Sequence, residues 1–155
     1  MNASSTNTID TADAVIFELA LLNQMSDLER MSPWLEQCAE TIGLSMRGTF
    51  RLQLLLEEVV MNIMENAHAD QTEHSVLISL FAKTSGLVIR IEDDGMPFDP
   101  TSYPEATLPA QLVDAEIGGL GLHLLRAYAD GYRYQRAEDK NILTLQLDDS
   151  DSEVL

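Results

Sequence analysis

Residues 52–67 read LQLLLEEVVMNIMENA, and two patterns run through them at once. Leu52, Leu55, Leu56, Val59, Val60, Ile63, Met64 and Ala67 recur at i, i+3, i+4 and i+7, which makes one continuous apolar helix face and predicts a sheet for it to lie against. Beside that stripe Glu58, Asn62 and Asn66 fall at i, i+4 and i+8 and line a slowly drifting polar edge. Asn is a poor helix former, and two of them a turn apart cost stability that Ala would not. Either these are solvent-facing polar residues, or an Asn oxygen serves as a ligand. Mg²⁺ is the fitting guest, a hard ion that prefers oxygen and takes most remaining positions from water and phosphate. Glu58, one turn earlier, could then accept a proton from an attacking hydroxyl.

Outward from this helix, Ala14 to Ala20 (AVIFELA) is short and apolar without a sustained helical period, which predicts a first strand. Ser26, with Glu29 three residues on, has the form of a capping box. It predicts a helix from Asp27 to Ile42, interrupted early by Pro33 and stopped by Gly43. Ser75 to Phe81 and Leu87 to Ile91 read as two strands joined by AKTSG, with Gly86 near the turn. Residues 96–117 contain prolines and little periodicity, and form a long loop. In GGLGLHLLRAYAD, Leu122, Leu125 and Ala129 are spaced for a third helix, and Tyr132 to Arg136 and Ile142 to Leu147 are two last strands. This order predicts an α+β chain, a two-layer α/β sandwich in which one mixed sheet is covered on one face by helices. A single domain spans residues 14–148, with 1–13 and 149–155 as flexible termini.

The 155 residues include 26 acids against 9 Lys and Arg, a net charge of −17. Such a surface repels nucleic-acid phosphates and anionic membranes and suits a basic protein partner, although it also serves plain solubility. The opening MNASSTNTIDTAD lacks the basic start and apolar block of a secretory signal, and no apolar run reaches the roughly 18 residues of a membrane-spanning helix. Cys38 is the one cysteine, so an intrachain disulfide is excluded. These features predict a cytoplasmic protein without direct nucleic-acid or membrane partners.

Two further stretches carry chemistry. In IEDDGMPFDP (residues 91–100), Asp93 sits where a strand ends, so its carboxylate can face a cleft and accept a hydrogen bond from an exocyclic amine. Gly95 lets another body approach the backbone. The alternative is a solvated Asp-Gly turn. In GGLGLHLL, small residues immediately precede a helix and aim free N–H groups and the positive end of its dipole at an anion, phosphate being the natural guest. The alternative there is a bland connector. Neither the P-loop nor the dinucleotide fingerprint is present.

Together, EVVMN (Glu58 to Asn62), DDG (Asp93 to Gly95) followed by MPFDP, and GLGL (Gly119 to Leu122) resemble the three ATP-binding boxes of the gyrase, chaperone, histidine kinase and MutL superfamily. The short length, the PFDP after the second box and the GGLGLHLLRAYAD third box most resemble the anti-sigma factor serine/threonine kinases of bacteria. The resemblance implies a Bergerat-type ATP-binding fold with a left-handed βαβ unit, ATP or ADP as ligand, and Mg²⁺ on Asn62. It implies Asp93 on the adenine amino group, Gly95 beside the base, Asn66 in the nucleotide site and Glu58 as catalytic base. Gly119, Leu120, Gly121 and Leu122 would hold phosphates under a lid made by the preceding loop, and Thr144 matches a Thr near the adenine. By the same analogy the protein sequesters a sigma factor and phosphorylates a small antagonist protein on Ser or Thr, and relatives of this type often pair into homodimers. Met96 to Ile117 departs from the pattern. It has no Lys or Arg, where relatives often bring a basic residue near the γ-phosphate, which leaves Mg²⁺, backbone N–H groups, His123 and Arg126 as the positive groups.

Three readings compete. One is a nucleotide-gated binding module that performs no useful transfer. Another, the catalytic piece of a two-component histidine kinase, is disfavoured because no helical dimerisation segment with a phosphoacceptor His stands before the boxes. The third is an α/β scaffold that binds no nucleotide.

Overall fold

A computed structural model describes residues 15–67, 74–84, 86–99 and 125–149. Strand β1 (Val15–Leu22) leads into helices α1 (Met25–Leu28), α2 (Met31–Ile42) and α3 (Met46–Ala67), then β2 (Ser75–Lys83) and β3 (Gly86–Asp93). After residues 125–128, which are helical, come β4 (Gly131–Ala137) and β5 (Lys140–Asp148).

Period-2 alternation explains the sheet. Val76, Ile78 and Leu80 of β2, Leu87, Ile89 and Ile91 of β3, and Leu143, Leu145 and Leu147 of β5 are all buried, and the register sets them opposite one another as Leu80↔Ile89, Ile89↔Leu145 and Ile91↔Leu143. They form one cluster with Leu52, Leu55, Leu56, Val59, Val60 and Met64 of α3 and with Met31, Leu35 and Cys38 of α2. The α+β sandwich therefore stands, with helices on the face that carries this stripe. The expected mixed sheet does not. Among the described residues strand order is β1-β2-β3-β5-β4 and every pair is antiparallel, because β5 rather than β4 lies against β3. β3 and β4 run parallel but never pair, since β5 lies between them.

The helix starts also differ from expectation. Ser26 does not cap; the N-cap of α1 is Gln24, without a side-chain cap bond. Asp27 does the anchoring instead, since its carboxylate accepts the Leu22 N–H at 2.7 Å and the Gln24 side-chain amide at 3.1 Å. The helix resumes at Met31, which puts Pro33 in a first turn where its missing N–H costs nothing. Gly43 ends α2 as expected, left-handed at φ 83° with its N–H on the Ala39 carbonyl. At the start of α3, Ser45 Oγ accepts the Gly48 N–H, and the Asp149 carboxylate accepts both the N–H and the hydroxyl of Ser45 at 2.8 and 2.6 Å. Asp149, assigned to a flexible tail on sequence grounds, is thus buried and fastened.

Gly86 opens β3 directly after the hairpin turn, at φ 156°, and a Cβ there would sit 2.2 Å from the Leu147 carbonyl oxygen. Backbone cannot yield that distance cheaply. Gly86→Ala is expected to destabilise by roughly 2–4 kcal/mol from overlap and strain together, read as a lowered urea midpoint.

Strand directions decide where chemistry can gather. The last residues of β1, β3 and β4 and the first residues of β2 and β5 share one end of the sheet. Ser45 is bonded to Asp149 just beyond the opposite end, so α3 runs from there toward Ser75. Its second half, with Glu58, Asn62 and Asn66, approaches the end where Asp93 lies.

Candidate functional site

Asp93 is the last residue of β3, and its parity follows Leu87, Ile89 and Ile91, so it stands on the helix-covered face. It is 8% exposed. Its Oδ1 accepts two hydrogen bonds, from the Gly95 N–H and from the Asn141 side-chain amide, each at 3.0 Å. Oδ2 accepts none, and it is not sealed from solvent, since no closed-off side-chain oxygen lacks a partner among the described residues. Burial pushes the Asp93 carboxyl above the usual range; the bonds from Asn141 and Gly95 oppose this, Asp94 adds to it and Arg136 counters it.

The neighbouring acid has another role. Asp94 is exposed and its Oδ1 accepts the Ser75 N–H at 3.2 Å while lying 3.0 Å from His74 Nδ1. It ties the end of β3 to the start of β2. Gly95 turns the chain over Asp93, and its carbonyl accepts the Arg136 guanidinium at 2.8 Å. The solvated-turn alternative for DDG therefore holds for Asp94 and fails for Asp93.

Asn141 is the residue that sequence reasoning missed. It lies directly opposite Asp93 in the β3/β5 register and is buried. Its amide nitrogen also donates to the Met96 carbonyl at 2.8 Å, while its oxygen accepts the Phe98 N–H at 3.1 Å and the Tyr134 hydroxyl. A usable signal existed: Asn is depleted in strands, and here it heads the Leu143, Leu145, Leu147 stripe on the buried face. Thr144, the residue expected near the adenine, sits three positions on. That odd offset turns its side chain to the opposite face, where it pairs with Arg90 and Arg133. The structure does not bring Thr144 to Asp93.

On α3, Asn62 is 8% exposed, which removes the solvent-facing reading for it, and Glu58 is half-buried one turn earlier. Asn66 lies in the last turn of the helix. Gly119, Leu120, Gly121, Leu122 and His123 lie outside the described residues; Arg126 falls in the helical turn at 125–128. The ensemble can present a buried carboxylate acceptor beside a glycine, with an amide and a carboxylate arriving on α3.

Residues 21–147 match the histidine kinase-like ATPase domain. The chain belongs to that family. The matched span runs from the end of β1 to the end of β5, so the ATPase domain takes in α1, α2 and α3 and the whole of the site just described. A curated relative, the serine/threonine-protein kinase BtrW of Bordetella bronchiseptica, is 33% identical over 112 residues, covering 72% of this chain and 79% of the relative. Among solved structures, the blue-light activated histidine kinase of Erythrobacter litoralis aligns with TM-score 0.53 at 16% identity, over 81% of this chain and 43% of that one. A histidine kinase domain from the same protein aligns with TM-score 0.50 at 18% identity, over 78% and 62%. At those identities the likeness is one of fold, and this chain spans less than half of the light-activated kinase chain that it matches. No described helix is long and apolar enough to cross a membrane.

Proposed function

We propose that this chain is an ATP-binding anti-sigma regulator with serine/threonine protein kinase activity toward a small antagonist protein. Asp93 carries the reading. A buried carboxylate with one oxygen saturated by donors and the other free selects a ligand that brings an N–H donor, and the exocyclic amine of adenine is such a donor. The relative named as a serine/threonine-protein kinase supports the reaction type, and the net charge of −17 supports a basic protein partner in the cytoplasm rather than nucleic acid or membrane. A homodimer is part of the same proposal.

Mg²⁺ fits the donor set in a limited way. Among the described residues no three His, Cys, Asp or Glu side chains cluster to hold a metal, so the chain offers the Asn62 amide oxygen, with phosphate and water as the remaining ligands. When bound, the ion neutralises charge on the transferring phosphoryl group. The chain's own residues do the rest in this proposal: Asp93 orients the base, and Glu58 takes the proton from the attacking hydroxyl oxygen.

Mg-ATP at about 100 times its Kd should stabilise the protein by about 2.7 kcal/mol, a rise in Tm of roughly 5–10 °C. Incubation with labelled ATP and candidate antagonist proteins should then yield phosphoserine or phosphothreonine. No thermal shift would overturn the nucleotide reading. A shift with ATP-dependent partner binding and no phosphate transferred would favour the gated module, a reading supported by the absence of Lys and Arg from residues 96–117.

A further inference from the structure

We infer that Asn141 is a positioning residue that sets base selectivity, by holding Asp93 as an acceptor toward the 6-position of a purine. The inference rests on the nucleotide reading of Asp93 and adds a second strand, and through Tyr134 a third, to the apparatus that reads the base.

The orientation of the Asn141 amide is fixed by its neighbours. The Phe98 N–H can only donate and the Met96 carbonyl can only accept, so the oxygen of Asn141 faces Phe98 and its nitrogen faces Met96. The same nitrogen then reaches Asp93 Oδ1, while the Tyr134 hydroxyl donates to the Asn141 oxygen. All four hydrogen-bonding positions of this amide are engaged. It has no spare arrangement, and a flip would set donor against donor at Phe98 and acceptor against acceptor at both Met96 and Asp93.

Two consequences reach the ligand. Asp93 Oδ1 is occupied by Gly95 and Asn141, so Oδ2 alone is offered to a base. A donor amide against Oδ1 also favours the ionised carboxylate, in a place where burial works the other way. An ionised Oδ2 accepts from a 6-amino group and repels a 6-carbonyl. Without Asn141, Asp93 is free to turn and protonates more readily, and a protonated Asp93 can donate to a 6-carbonyl. Selectivity between amino- and oxo-purines thus depends on a residue that need not touch the base.

The test is calorimetric titration of wild type, Asn141→Leu and Tyr134→Phe with ADP and with inosine diphosphate. Wild type should prefer ADP by about 10- to 100-fold, the range set by one hydrogen bond to a charged group. Asn141→Leu should bring that ratio to within about threefold of unity, with its inosine diphosphate affinity rising as pH falls. Tyr134→Phe, which removes one support of the amide, should shift the ratio in the same direction by a smaller factor and guards against the first variant failing to fold. A merely structural role would weaken both nucleotides alike. An unchanged ratio in the variants, or no pH-dependent gain for inosine diphosphate, overturns the inference while ADP binding by wild type keeps the nucleotide reading; wild type that binds neither nucleotide removes both.

Discussion

Asp93→Asn should lower ADP affinity by about 100-fold or more while leaving the nucleotide-free protein at least as stable as wild type. Asn keeps an oxygen that can accept from Gly95 and Asn141, so the internal hydrogen bonds survive. What changes is the outward atom: an acceptor becomes an NH₂ donor facing the donor amine of the base. Losing a hydrogen bond to a charged group removes about 1.5–3 kcal/mol, and opposing two donors adds to that. Stability moves the other way because the folded protein raises the Asp93 carboxyl above its unfolded value, chiefly by burial. Its ionised form is disfavoured in the fold, so it detracts from stability at neutral pH, and that deficit fades as pH falls through the raised folded value. The Tm advantage of Asp93→Asn should therefore shrink between pH 7 and the acid side of that titration. Asp27 has the opposite sign. Its carboxyl is held low by the Leu22 N–H first and by Gln24 next, so its contribution is present above the unfolded value and lost as pH falls through the lowered one. Thermal melts of both proteins across pH, without nucleotide, check the prediction; a variant several degrees less stable at pH 7 would show that Asp93 is mainly structural.

The parts of the fold legible in sequence were those where one period dominates. The stripe on α3 is buried from Leu52 to Met64 as its spacing predicts, and strands lie where 75–81, 87–91 and 142–147 were read, because burial on one face constrains every second or every third and fourth residue. Gly43 and Gly86 were legible for a different reason, since each occupies a backbone position that an L side chain rarely adopts. Partnerships between distant segments were not legible. Nothing near Ser45 announces Asp149, and nothing in ARG-rich β4 says that Tyr134 will meet Asn141 or Arg136 will meet Gly95. Placing β5 rather than β4 beside β3 is likewise a choice that hairpin patterning alone leaves open. The placement of Thr144 on the face away from Asp93 has the same root. A resemblance selects a residue type, whereas the sheet selects a parity, and three residues of register put Asn141 on the site face and Thr144 behind it.

Glu58→Gln should leave ADP affinity within about twofold of wild type and reduce phosphoryl transfer by about 10²- to 10⁴-fold, the usual worth of a positioned general base. The substitution keeps size and hydrogen-bonding capacity and removes the capacity to take a proton. Glu58 is half-buried on α3, a turn before buried Asn62, whereas the Asp93 and Asn141 pair sits on β3 and β5. In the proposed mechanism base binding and proton transfer therefore fall to separate elements, and a loss confined to transfer would follow that division. The absence of Lys and Arg from residues 96–117 sharpens the expectation. Phosphoryl transfer draws most of its acceleration from positioning and charge neutralisation. With fewer cationic groups to supply the second, the proposed mechanism puts more of the rate on Glu58 and Asn62 of α3. Steady-state transfer to an antagonist protein, measured beside calorimetric ADP binding, separates the outcomes. Transfer that survives Glu58→Gln would remove Glu58 as the base, and a matching fall in ADP affinity would move it from the chemistry to the binding of nucleotide.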